Sequence, residues 1–175
     1  MVAAMQCIEL LDDLARLSLA GHWDEIDELL DSYPEVINCA SRYDESVLHI
    51  LGRAEGASRL VAKCLAMGAD PNRVTHSGST PLGSAVHAGH NYGIGNEVNV
   101  RLLVEAGADL ALFDETGNPP LHAAMASVKP KIVSYLLSVG ADPLQENAWG
   151  DDAYAYAVWK GVPSMLALLP PRETL

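Results

Sequence analysis

The tripeptide Gly-Ala-Asp occurs at residues 68–70, 107–109 and 140–142, at intervals of 39 and 33 residues. A second marker keeps the same step. It runs Gly78-Ser79-Thr80-Pro81-Leu82, then Gly117-Asn118-Pro119-Pro120-Leu121, then Gly150-Asp151-Asp152-Ala153-Tyr154. Two independent markers that share both intervals point to an internal repeat of period 33, with six extra residues in the second unit. Such a chain folds as stacked supersecondary units, each burying its apolar face against its neighbours.

Each unit has a physical reading. The glycine ahead of the Thr-Pro-Leu position permits positive φ in a tight hairpin-like turn. Thr80 can cap the helix that follows, and Pro81 stands at its first position, where the missing N–H costs nothing. Leu82, Ala85 and Val86 recur at helical spacing. A second amphipathic stretch, with Val100, Leu102, Leu103 and Ala106, ends at Gly107 as a C-cap. In the next unit, Leu121-His122-Ala123-Ala124 opens one helix, and Ile132, Val133, Leu136 and Leu137 form the inward face of its partner. Turns are expected near residues 41–45, 74–79, 113–118 and 146–151, with eight to ten short helices in antiparallel pairs.

This pattern resembles the ankyrin repeat. The clearest match is Gly78 to His90, GSTPLGSAVHAGH. Ser46-Val47-Leu48-His49 keeps Leu and His without the Pro, and Gly68-Ala69-Asp70-Pro71-Asn72 matches the family's closing turn. Departures are Gly83 for the usual His, Val128 for the usual Gly, and Asp152-Ala153 for Thr-Pro. The resemblance implies an all-α solenoid of helix-turn-helix units joined by β-hairpin-like turns. As one domain over 1–175, it comprises an N-terminal cap at 1–38, repeats at 39–72, 73–110 and 111–143, a capping repeat at 144–169 and a tail at 170–175.

Composition narrows the function. Eleven basic residues against 23 acidic ones give a net charge of −12, which excludes a chain built to attract nucleic acid or an anionic membrane. No window of 18 apolar residues is present, and the first basic side chain is Arg16, so neither a membrane span nor a signal peptide is expected. Cys7, Cys39 and Cys64 are odd in number and widely spaced. They offer no disulfide framework and no zinc signature, so a reducing, cytoplasmic setting is expected. Cys39 and Cys64 read as small buried hydrophobes.

No catalytic pattern emerges. The stretch Gly89-His90-Asn91-Tyr92-Gly93-Ile94-Gly95 lacks the Lys-Ser/Thr of a phosphate loop and reads as an insertion over about 90–99 that bulges from the rim. His87 and His90 can share a helix face, yet two histidines do not fill a zinc shell. No cofactor is expected. His49 and His122 hold the repeat position whose imidazole bonds backbone of the neighbouring turn.

The ankyrin resemblance implies a concave groove lined by hairpin tips and by the first helix of each repeat. By motif, the tips present Arg42, Tyr43 and Glu45, then His76, Ser77 and Ser79. They continue with Glu115, Thr116 and Asn118, and end with Ala148, Trp149 and Asp151. Arg53, His87, Ala126 and Trp159 face the groove from the helices. Trp149 and Trp159 either bind there or cover the open end of the stack. Asp44, Glu45, Asp114, Glu115, Glu146, Asp151 and Asp152 cluster at or beside the tips. The expected function is therefore a non-enzymatic module, monomeric when free, that holds a basic protein in an acidic groove. Similarity to small stand-alone ankyrin proteins suggests an immunity protein or inhibitor acting on a toxin or nuclease. The alternatives are an adaptor or host-directed effector, and, in contrast, a metal-dependent enzyme using His87 and His90.

Overall fold

The computed structural model describes residues 2–88 and 96–172. Its elements are α1 (Val2–Ala20), α2 (Trp23–Ser32), a 3-10 turn (Pro34–Asn38), α3 (Val47–Gly52), α4 (Ser58–Ala66), α5 (Pro81–His87), α6 (Glu97–Glu105), α7 (Pro120–Ala126), α8 (Pro130–Ser138), α9 (Ala153–Lys160) and α10 (Pro163–Leu166). No strand occurs among the described residues. The odd-numbered helices stack in one layer, α1 on α3, α3 on α5, α5 on α7 and α7 on α9. The partner layer runs α2, α4, α6, α8. The core lies between the layers and is continuous from Leu11 and Leu14 of α1 to Met165 of α10.

Four turns connect the pairs, and all close the same way. The N–H of Ser41, Thr75, Asp114 and Asn147 donates to the carbonyl of Glu45, Ser79, Asn118 and Asp151, respectively, at 2.9 Å. In each turn the first side chain accepts from the turn's own amides. Asp114 Oδ1, for example, takes the N–H of Thr116 at 2.8 Å and of Asn118 at 3.0 Å. The fourth residue needs positive φ. It is Gly78, Gly117 or Gly150 in three turns and Asp44, at φ 62°, in the first. An aspartate tolerates that region because its short side chain can bond locally.

Caps define the helices as their sequences suggest. Thr80 Oγ1 accepts from Gly83 N at 2.9 Å. Asp152, standing where Thr would, accepts from Ala155 N at 2.8 Å. The Gly-Ala-Asp turns are also uniform: the carboxylates of Asp70, Asp109 and Asp142 each accept the amide two residues on, at 2.8 Å.

Two expectations are corrected. Cys7 and Cys39 form a disulfide across 32 residues of sequence. α1 folds back beside the 3-10 turn and brings the two thiols together, which wide spacing concealed. Cys39 is therefore a staple rather than a free buried hydrophobe. The argument from unpaired cysteines to a reducing cytoplasm loses its basis, since disulfides persist in oxidising compartments. Cys64 alone remains a free buried thiol, its pKa pushed up to about 12 by burial. The second correction concerns the insertion. Glu97–Asn99 belong to α6, and buried Asn99 donates to the carbonyls of Leu51 and Gly52 at 3.1 Å, so the bulge does not reach residue 99. Residues 89–95, with His90, lie outside the described residues.

Candidate functional site

The concave face is built by the four tips and the first helix of each pair. It forms two grooves that meet at His87. The larger, about 740 Å³, runs along the first two tips and is lined by Tyr43, Glu45, Arg53, Ser77, Ser79, His87 and Glu115, with Trp23 at its far wall. The second, about 640 Å³, lies between the last two tips and holds Asn118, Trp149, Asp151, Trp159 and Tyr156 with His87. Eleven of the thirteen candidate partner-binding residues thus line one face. Arg42 and His76 line neither groove: Arg42 pairs with Asp12 at 3.4 Å and His76 with Asp44 at 3.2 Å.

Hydrogen bonds between repeats fix this face. His49 Nε2 donates to the Ser79 carbonyl at 3.1 Å, and His122 Nε2 donates to that of Asp151 at 3.0 Å. Burial is the main influence on both imidazoles and lowers their pKa values. In the middle repeat Gly83 holds the histidine position, and His87, one turn later, supplies the link instead. Its Nε2 donates to Asp114 Oδ2 at 2.7 Å. Burial of Asp114 would raise its pKa, but hydrogen bonds from His87, Asn118 and Thr116 outweigh it and hold the carboxyl below the ordinary value. His87 is therefore half a positioning residue as well as a groove wall. The signal was present in the sequence: a glycine in the histidine slot with a histidine four residues on.

Lys129 was not foreseen. It is buried, and its Nζ donates to the carbonyl of Val86 at 2.7 Å and to that of Ala88. Those carbonyls close α5, where the helix leaves its last acceptors unpaired and its dipole favours a cation. Burial lowers the Lys129 pKa. Asn96 does the same one repeat earlier, donating to Gly52 at 3.2 Å and to Ala54 at 2.7 Å.

The acidity of the groove is smaller than the composition suggests. Arg53 grips Glu45 with both guanidinium nitrogens, one at 3.2 Å, and this pairing lowers the Glu45 pKa. Arg73 meets Asp44 at 3.0 Å, and Arg172 meets Asp152 at 2.6 Å. Asp114 is buried under His87. Of the seven carboxylates expected at the tips, only Glu115, Glu146 and Asp151 make no ion pair among the described residues. Asn118 is likewise buried, and its Oδ1 accepts from Asn147 Nδ2 at 3.2 Å, so it braces two tips more than it meets solvent.

Aromatic exposure remains. Tyr43 is 78% exposed, Trp149 67% and Trp159 71%. Neither tryptophan seals the end of the stack. There the tail folds over Tyr154, whose hydroxyl donates to the Pro170 carbonyl and whose ring lies under Arg172 at 4.6 Å. Trp159 instead lines the groove.

A solenoid of paired helices with such tips defines a repeat protein of the interaction class. A family model described as ankyrin repeats, in three copies, matches residues 48–147, more than half the chain, and the chain belongs to that family. Over 57 residues it is 49% identical to mouse protein phosphatase 1 regulatory subunit 27, a stretch covering 33% of this chain and 37% of that protein. It is 30% identical over 97 residues to human B-cell lymphoma 3 protein, covering 55% of this chain and 21% of that protein. The chain thus spans well under half the length of these relatives. Ankyrin repeats are protein–protein interaction modules, and no helix among the described residues is long and apolar enough to cross a membrane.

Proposed function

We propose that this chain is a non-enzymatic binding protein that holds a partner protein along its concave groove. The observation that carries the reading is the convergence of exposed Tyr43, Trp149 and Trp159 on one face whose backbone is braced tip to tip. Large aromatic side chains held rigid and left in solvent are the composition of binding hot spots. The narrower form of the proposal is a partner bearing basic side chains, with inhibition of that partner as the output, as an immunity protein would act. Glu115 and Asp151 support it, as does the net charge of −12. A relative named as a regulatory subunit of a phosphatase fits a holding role on an enzyme.

The test places a photo-crosslinking amino acid at Tyr43, at Trp149 and, as controls on the outer helices, at Arg101 and Lys131. Groove positions should capture one and the same protein from native extract, and Trp149→Ala should reduce capture at Tyr43. Capture through the outer helices alone would overturn the reading. If the partner is basic, its association should slow steeply as salt shortens the Debye length to about 10 Å at 0.1 M. A salt-independent rate would leave the groove and remove the basic partner.

A further inference from the structure

Within the groove, the half between the last two tips differs in chemistry from the rest. Trp149, Trp159 and Tyr156 bring three aromatic rings to one concavity, and Tyr156 and Trp159 stand 5.7 Å apart between ring centres. The Asp151 carboxylate is half-exposed in the same wall and makes no ion pair among the described residues. Its backbone, by contrast, is fully committed: the carbonyl accepts from His122 and from Asn147 N, and the N–H goes to Asn147 Oδ1 at 3.0 Å.

The pocket is also preformed. Asn147 Oδ1 holds the Trp149 N–H at 3.0 Å, and Ala148 N donates to the Gly117 carbonyl at 2.8 Å. The Trp149 ring lies over Gly117, where a Cβ would come within 3.3 Å of it. One cation already occupies this aromatic surface: Lys160 Nζ lies 5.5 Å from the centre of the Trp159 ring.

From these observations we infer that the pocket of Trp149, Trp159, Tyr156 and Asp151 receives an arginine side chain of the partner protein. The inference rests on the groove reading and names the partner's chemistry at one subsite. A guanidinium is planar and weakly hydrated, so it stacks on indole faces while its N–H fork meets a carboxylate. Aromatic faces without the carboxylate would suit any apolar group, and the carboxylate without the rings would suit any cation. Only their combination selects a flat cation. Lys160 is the resident competitor, and an entering guanidinium displaces it from Trp159.

The test uses the full chain and a short end-capped peptide, acetyl-Gly-Ser-Arg-Ser-Gly-amide, whose only charge is the guanidinium, followed through the three tryptophan indole N–H resonances. Trp149 and Trp159 should shift while Trp23, at the far end of the concave face, stays still. Replacing arginine by citrulline keeps the shape and removes the charge, and should weaken binding by about tenfold or more on the scale of cation–π and charged hydrogen bonds. The lysine peptide should bind more weakly than the arginine peptide.

Asp151→Asn should weaken the arginine peptide by about fivefold, and Lys160→Gln should tighten it by about two- to fivefold, the scale of one exposed cation–π contact. Trp159→Ala should abolish the shift at Trp149 with unchanged circular dichroism. If that variant fails to fold, the two polar exchanges decide alone. Equal binding of citrulline or lysine, movement of Trp23 alone, no shift at tens of millimolar peptide, or weakening by Lys160→Gln would each overturn the inference. Crosslinking at Tyr43 is independent of this pocket. Loss of the peptide shifts with capture intact removes only the arginine subsite, whereas capture on the outer helices removes the groove itself.

Discussion

His49 and His122 hold the same position in their repeats and donate to the same carbonyl of the following tip, yet their rings are not equally satisfied. His49 Nδ1 accepts the Ser46 N–H at 3.1 Å and lies 2.9 Å from its hydroxyl. His122 Nδ1 is buried and has no hydrogen-bond partner among the described residues. The cause is one residue. Where the first repeat has Ser46, the third has Pro119, which owns neither an N–H nor a hydroxyl. The two ends of the array differ in the same sense. The first is closed by a disulfide and by Lys63 bridging Asp27 at 2.6 Å and Asp31 at 2.5 Å. Toward the last, the third repeat carries an orphan acceptor at His122 and, at Val128, a strained backbone. The first turn has its own exception, Asp44 at φ 62°, but the orphan nitrogen and the β-branched left-handed residue both fall in the third repeat, next to the half of the groove that holds the exposed tryptophans. That pattern is expected where a binding surface, rather than stability, shapes the sequence.

The largest way to break this contrast is at the staple. Cys7→Ser opens a loop of 32 residues in sequence separation, which on chain entropy costs about 3–4 kcal/mol. Thermal unfolding should show the first end melting before the last, the reverse of the order expected for the intact chain. A reducing agent should reproduce the shift in the natural chain and leave Cys7→Ser unchanged. No shift in either case would mean that the helix packing of α1 alone fixes this end.

Exchanging the residues that differ at the two histidines comes next. Ser46→Pro removes the donors to His49 Nδ1 and should cost about 2–3 kcal/mol, the penalty of leaving a buried polar group unmade. Pro119→Thr restores a donor to His122 and a cap for α7. It should gain about 1 kcal/mol after the loss of proline's rigidity in the unfolded chain, or roughly 3 °C in melting temperature. Destabilisation by Pro119→Thr would show that the rigid Pro119-Pro120 pair matters more than the orphan nitrogen.

Proton binding sharpens the same comparison. Burial holds both imidazoles below 6.5 in the folded state. The unfolded chain therefore binds protons first, so the contribution of the histidines is complete above about pH 6.5 and is lost as pH falls through their folded values. A proton on His49 Nδ1 would face the Ser46 N–H, donor against donor, whereas His122 Nδ1 has no such opponent. Replacing His49 by Asn should flatten the stability profile between about pH 7 and 5 more than replacing His122 does. Asp114, held below 3.8 in the fold, acts at lower pH: its contribution stands above that value and is lost as pH falls beneath it. Equal flattening by the two histidine variants would remove the assigned difference at Nδ1.

The fold was legible because its marks are local. The glycine of each tip, the caps Thr80 and Pro81 and the Gly-Ala-Asp turns all act within a few residues, so their spacing transmits directly into the stack. His49 and His122 were legible because the family motif names their bond. What escaped depends on register between units. The Cys7–Cys39 bond joins residues 32 apart, Lys129 reaches carbonyls more than 40 residues back, and Asp114 is buried by His87 from the preceding repeat. The same pairing explains why net charge overstated the groove's acidity. Carboxylates at a tip are counted one by one in a sequence, but Arg53, Arg73 and Arg172 reach them from other elements.

Val128 offers the smallest and cleanest contrast. Six helices end with the same two bonds, in which one residue donates its N–H to the carbonyl three back and the next residue donates to the carbonyl five back. Gly21, Gly68, Gly107, Gly140 and Gly161 begin the pair after α1, α4, α6, α8 and α9, at φ between 69° and 97°. After α7 the residue is Val128, at φ 52°, its N–H on the Met125 carbonyl and that of Lys129 on Ala124, both at 3.0 Å. A β-branched residue in the left-handed region costs roughly 1–2 kcal/mol. Its side chain is half-buried against the core, which returns part of that cost. Asparagine tolerates the conformation without the entropy that glycine adds to the unfolded chain, so Val128→Asn should gain somewhat under 1 kcal/mol by this balance. Val128→Gly should fall near neutrality, because strain relief is offset by lost packing and by backbone freedom. Thermal unfolding of both variants decides the point. A loss above about 1 kcal/mol in each would mean that the valine methyl groups outweigh the strain, on the usual value of burying such a side chain.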